Sequence, residues 1–170
     1  MKIRADFVTN SSSSSFISAS IDCPLLADIM RRIKQALADA RLPEDDPDWD
    51  ELGDYEGSGL DDFIKIEGST VRFDSDTQGG VNAPGDISGL ADAIAEAIRN
   101  STEDYGVWIA EEKFGVFDEL YAKADEIAQS TTQANWCSGR NEWGEFGSGF
   151  WSEDFKFDRS TGKSEFHRSN

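Results

Sequence analysis

The chain has 170 residues, 38% of them hydrophobic and 29% charged, with a formal net charge of −18 at pH 7. That length suits one domain with a substantial core, and five Trp, three Tyr and eleven Phe are far more aromatic residues than a disordered chain carries. So negative a field repels nucleic acid and anionic membranes and attracts basic partners or cations.

No run approaches the ~18 apolar residues of a transmembrane helix, and Lys2 and Arg4 are followed by no apolar stretch of the kind a secretory signal needs. Cys23 and Cys137 are too few for a disulfide framework. A cytoplasmic protein with reduced thiols, folded as a single domain over 1–170, is the expectation. The charge is uneven: Leu42 to Asp104 holds 18 Asp and Glu against Lys65, Arg72 and Arg99, a balance of −15, and the remainder of the chain carries only −3.

In chain order, residues 2–8 alternate through Ile3, Ala5 and Phe7 and predict a strand. Thr9 to Ser15 reads as a polar break. A second strand follows over 16–23, with Ile17, Ala19, Ile21 and Cys23 on one side. Pro24 suits a first helical turn, and Leu26, Ile29, Met30, Ile33 and Leu37 predict a helix to about Arg41. Residues 43–62 have no period and many breakers, and read as an exposed acidic loop. Strands at 62–67 and 70–74 flank a two-residue turn at Gly68-Ser69. Gly79 to Gly85 is a loop, Asp86 is a good N-cap, and a second helix runs from there to about Asn100. Tyr105, Val107 and Ile109 suggest a short strand, and 111–129 a third helix. The tail from Trp136 is rich in aromatic residues and glycine, turns at Arg159 to Gly162, and ends in a strand around Phe166. The fold class is α+β, about three helices on a mostly antiparallel sheet of six to seven strands. An alternative is two small sheets, one from each half.

The opening M-K-I-R-A-D-F-V-T-N-S-S-S-S-S-F-I resembles the start of a group of small uncharacterised proteins of anaerobic bacteria and their mobile elements. The resemblance covers about a tenth of the chain. It implies a bacterial or phage origin and no activity. The tract itself, Asn10, Ser11, Ser12, Ser13, Ser14 and Ser15, has the small polar side chains from which an anion-binding loop can be made, although a plain polar turn explains it as well. No base stands beside it to activate a serine.

Other motifs fail on spacing. Asp46, Asp48 and Asp50 alternate as in a calcium loop, but Glu51 occupies the position that needs glycine and Gly57 the one that needs a bidentate glutamate. Ser160 to Ser164 (S-T-G-K-S) looks like the end of a phosphate-binding loop, yet Phe157 replaces its first glycine. Cys23 faces the apolar side of its strand, Cys137 has a more exposed setting, and His167 is the lone histidine. A thiol–imidazole pair or a zinc site therefore has little to stand on. No cofactor or metal is expected.

Two functional readings remain. The first is a non-enzymatic binding protein whose carboxylates imitate nucleic acid and occupy a basic groove on a partner enzyme, as an anti-defence inhibitor would. Its candidate contacts are Asp45, Asp46, Asp48, Asp50, Glu51, Asp54, Glu56, Asp61, Asp62, Asp92 and Glu96. Trp143, Phe150 and Trp151 are the aromatic candidates, because adjacent Phe150 and Trp151 must face opposite sides of a strand and aromatic residues anchor interfaces. The second reading is a small-ligand or nucleotide-binding domain, conceivably an enzyme, using the serine tract. The absence of a coherent acid, base and nucleophile set weighs against catalysis.

Overall fold

The computed structural model describes residues 13–40, 42, 45–47, 62–77, 81–101, 106–144 and 147–169. Six strands, β1 (Ser13–Asp22), β2 (Ile64–Glu67), β3 (Thr70–Thr77), β4 (Gln133–Gly144), β5 (Gly147–Asp158) and β6 (Lys163–Ser169), form one sheet in the order β2-β3-β1-β4-β5-β6. Every neighbouring pair is antiparallel. Five helices accompany it among the described residues: α1 (Pro24–Asp39), α2 (Leu90–Ser101), α3 (Gly106–Phe114), α4 (Asp118–Ala122) and α5 (Ala124–Ser130). The architecture is α+β, with one sheet rather than two among the described residues.

Local chemistry explains the elements that were foreseen. Gly68 has φ +60° at the first position of the β2–β3 turn, the left-handed conformation that a two-residue type II′ turn requires. At the start of α1, Cys23 is the N-cap, its Sγ accepting from Leu26 N at 3.4 Å, and Pro24 follows as the first helical residue. Asp86 caps the 3-10 turn leading into α2, accepting from Ser88 N at 2.9 Å and Gly89 N at 3.3 Å. The β5–β6 turn is closed by Asp158, whose Oδ1 accepts from Ser160 N at 2.9 Å, so the S-T-G-K-S segment belongs to a hairpin.

Three expectations are corrected. Ser13 to Ser15 belong to β1 rather than to a loop: Ser15 pairs with Thr77 and Arg140 and is buried. The β4 ladder takes in all three and β3 joins at Ser15, capturing a short polar stretch that has little strand propensity of its own. The strand suggested by Tyr105, Val107 and Ile109 is not formed: residues 106–114 are helical, with Val107 and Ala110 buried one turn apart and Trp108 half exposed, and Tyr105 lies outside the described residues. A Val-x-Ile window is too short to separate period 2 from period 3.6. The helix foreseen over 111–129 is interrupted at Gly115, whose φ is +60° and whose N–H bonds to Glu111 O at 3.0 Å, closing α3. A side chain at Gly115 would collide with the Asp118 carboxylate. The strand foreseen over 2–8 lies outside the described residues.

Alternation along the strands sorts the sheet into two faces. Ile17, Ala19, Ile21, Ile64, Val71, Phe73, Ala134, Trp136 and Phe155 share one face, and all are buried. They form a continuous core with Leu26, Ile29, Met30, Ile33 and Leu37 of α1 and Leu90, Ile94 and Ile98 of α2. At its centre the fully buried Trp136 ring stands 6.4 Å from Phe73, and its indole N–H donates to Ser138 Oγ at 3.2 Å. Glu153, buried on the same face, accepts from Ala83 N at 2.8 Å and from Arg168 Nε at 2.8 Å, tying the 81–86 segment to β5 and β6. Within the helix layer, Arg99 makes two 2.6 Å hydrogen bonds to the Glu111 carboxylate, reaches Tyr121, and lies 5.5 Å from the Trp108 ring centre.

Candidate ligand-binding face

The opposite face of the sheet carries no described helix. Around Ser18 and Ser20 its residues are mostly the polar alternates of the core positions, with Phe16, Cys137 and Phe150 farther along, all brought into rows by the register. One row crosses all six strands: Lys65, Arg72, Ser20, Asn135, Lys156 and Glu165. The next row contains Asp74, Ser18, Cys137, Asp154 and His167. A cleft of about 480 Å³ lies over the first row and part of the second, lined by Ser18, Ser20, Arg72, Asp74, Asn135 and Lys156. A second, of about 330 Å³, continues from Lys156 past Asp154, Cys137 and His167 to Phe150.

The electrostatics of the larger cleft are unusual for so acidic a chain. Lys65 and Arg72 are direct cross-strand neighbours, an arrangement of like charges that costs stability. Neither makes a hydrogen bond or an ion pair among the described residues. By contrast, the cations of the helix layer are paired: Arg31 with Asp28, Arg32 with Glu119, Arg99 with Glu111, Lys113 with Asp46 and Lys123 with Glu126. Across the cleft Lys156 stands opposite Glu165, whose carboxyl is held below its ordinary range mainly by Lys163. Ser18 and Ser20 hydroxyls and the Asn135 carboxamide supply neutral donors between the cations.

The smaller cleft brings together the groups from which a thiol–imidazole pair would be made, but with the wrong spacing. Asp154 separates Cys137 from His167, so the two lie two inter-strand steps apart, roughly 9–10 Å. Cys137 is buried, not exposed as its sequence setting suggested, because it packs against Phe16 on this face. Burial and the neighbouring Asp154 carboxylate push its thiol up to about 12. Such a group stays protonated at neutral pH and is a poor nucleophile. No three His, Cys, Asp or Glu side chains among the described residues converge as metal ligands. Gly139 beside it is required by packing: a Cβ there would lie 2.6 Å from the Trp151 carbonyl and 2.7 Å from the Phe16 ring.

The residues singled out from the sequence are dispersed. Asp48, Asp50, Glu51, Asp54, Glu56 and Asp61, and Asn10, Ser11 and Ser12, lie outside the described residues. Asp45, Asp62 and Asp92 are exposed, and Asp46 is bonded to Lys113 at 3.1 Å. Glu96 is half-buried, and burial, followed by the nearby charge of Glu153, pushes its carboxyl upward against the pull of Arg99. Ser13 and Ser14 take part in the β1 ladder. Trp143 belongs to β4. Phe150 and Trp151 do face opposite sides, Phe150 lining the smaller cleft and Trp151 sharing a row with Arg140 and Ser15 on the other face. Sequence reasoning passed over Ser18, Ser20, Arg72, Asn135 and Lys156. Each is the polar alternate of an amphipathic strand, which was the one available signal.

No protein-family model, curated protein or solved structure matches the chain. Among the described residues no helix is long and apolar enough to cross a membrane.

Proposed function

We propose that this protein is a non-enzymatic binding protein that holds a small anionic ligand, one bearing a carboxylate or phosphate group, on the open face of its sheet. The observation that carries this reading is the Lys65–Arg72 pair beside the cleft of about 480 Å³, neither cation making an ion pair among the described residues, in a chain of net charge −18. Acids are abundant enough to neutralise every cation, and five cations of the helix layer are paired in this way. Two adjacent cations that make no ion pair among the described residues are stabilised when an anion binds between them and the Ser20 and Asn135 donors, with Asp74 at the far side of the cleft. The overall negative field favours a compact anion over a polyanion, which would meet repulsion beyond the cleft. A thiol that stays protonated and an imidazole far from it support binding rather than catalysis.

The test is an amide NMR titration with inorganic phosphate, citrate and a nucleoside monophosphate as probes. Saturable shifts at Ser18, Ser20, Arg72 and Asn135 with at least one probe, abolished in the Arg72→Ala variant, are expected. Shifts confined to other surfaces, or none with any of the three, would sink the reading.

A second reading rests on the exposed carboxylates of the helix layer, such as Asp92, and on the −15 balance of the central segment. In it the helix side imitates a phosphate backbone and occupies a basic groove on a partner protein. A complex of this kind loses affinity steeply as salt rises and weakens when Asp62 and Asp92 are neutralised together. A complex insensitive to both would exclude it.

A further inference from the structure

We infer that β6 is a self-association edge through which two copies of this chain join their sheets into one. The strand is the last in the sheet among the described residues, so one side of its backbone has no partner there. An edge of seven residues is a template for another strand unless it is blunted. None of its side chains is buried, and Phe166, on the helix-covered side, remains 41% exposed.

The sequence of the strand selects its own partner. In a two-fold antiparallel pairing that keeps each face on its own side, the axis passes through a residue, and three central registers are available. With the axis at Glu165, the two Glu165 carboxylates meet. With the axis at His167, Glu165 faces Ser169 and the two imidazoles meet. Centred on Phe166, all seven residues pair: Glu165 faces His167 of the second copy, Ser164 faces Arg168, Lys163 faces Ser169, and the two Phe166 rings meet at the axis. No like charges oppose one another, and both exposed aromatic rings become covered.

Bulk charge does not oppose this contact as it would elsewhere. The −15 concentration lies between Leu42 and Asp104, whereas β6 itself holds Lys163 and Arg168 against Glu165. Arg168 is already satisfied within its own chain by Glu153. The two polar faces would then run together as one surface twice as wide.

Sedimentation and light scattering on the full chain test the inference. Wild type is expected at twice the 18.8 kDa chain mass, dissociating on dilution. The Phe166→Lys variant, which sets two cations on the axis, is expected to run as a monomer with an unchanged circular dichroism spectrum. If that variant does not fold, Phe166→Cys replaces it. Mild oxidation should link two Phe166→Cys chains rapidly, whereas a Ser160→Cys control in the turn should not link, and the native cysteines are buried. A wild type that is monomeric at its highest soluble concentration overturns the inference. So does a dimer that persists unchanged in Phe166→Lys, or slow linking of Phe166→Cys.

Discussion

The two faces of the sheet are built from the same strands and solve different problems. On the helix-covered face, Trp136, Phe73, Phe155 and Ile17 are removed from water, and polar intruders are satisfied, as Ser138 is by Trp136 and Glu153 by Arg168 and Ala83. On the face without a described helix, Arg72 and Lys65 stand side by side and make no ion pair among the described residues. Burial drives the first arrangement. The second costs stability and is unexplained by folding alone, which is why the binding role is placed there.

The comparison breaks most severely at the core. Trp136→Ala should lower the unfolding free energy by about 3–5 kcal/mol, since the helix layer cannot collapse into the space of an indole. Chemical denaturation with tryptophan-independent detection measures it. A loss below ~1 kcal/mol would mean that the helix layer is not packed as described.

Next in size is the boundary where the open face is itself packed. Gly139→Ala forces a methyl group against the Trp151 carbonyl and the Phe16 ring, and should cost about 1–3 kcal/mol. The same substitution at Gly149, whose Cβ would meet open space, should cost far less.

Two glutamates of the helix layer give opposite pH signatures. Hydrogen bonds from Arg99 hold Glu111 below its ordinary value of 4.5, so its contribution is present above that value and is lost as pH falls through its folded pKa. Burial raises Glu96 above 4.5, so its ionised form opposes folding at neutral pH and the penalty is relieved as pH falls. Glu111→Gln should therefore destabilise at pH 7 and Glu96→Gln stabilise. Both differences should shrink in buffers below the ordinary glutamate range, as thermal melts across pH would show.

The smallest stability effects belong to the cleft. Arg72→Ala and Lys156→Ala should each leave the unfolding free energy within about 0.5 kcal/mol of wild type, because both side chains are exposed and Arg72 makes no hydrogen bond or ion pair among the described residues. The same variants should abolish the phosphate, citrate or nucleotide response. Large stability losses here would make the cations structural and remove the reason for assigning them to a ligand.

What could be read from residues alone was local. The alternation of Ile17, Ala19 and Ile21 against Ser18 and Ser20, the capping of helices by Asp86, the Gly68-Ser69 turn and the helical spacing from Leu26 to Leu37 each depend on neighbours within a few positions. Where the local signal was ambiguous, as at Val107 and Ile109, or overridden by pairing, as at Ser13 to Ser15, reading by pattern failed. Strand order lay beyond it altogether. Placing β1 between β3 and β4 requires contacts between distant segments whose polar alternates carry no information about one another. Only that pairing sets Arg72, Ser20, Asn135 and Lys156 in one row, holds Cys137 away from His167, and leaves β6 last in the sheet among the described residues. The acidity of the chain was plain in its composition, but the tertiary structure decided which cations would be neutralised by it and which would not.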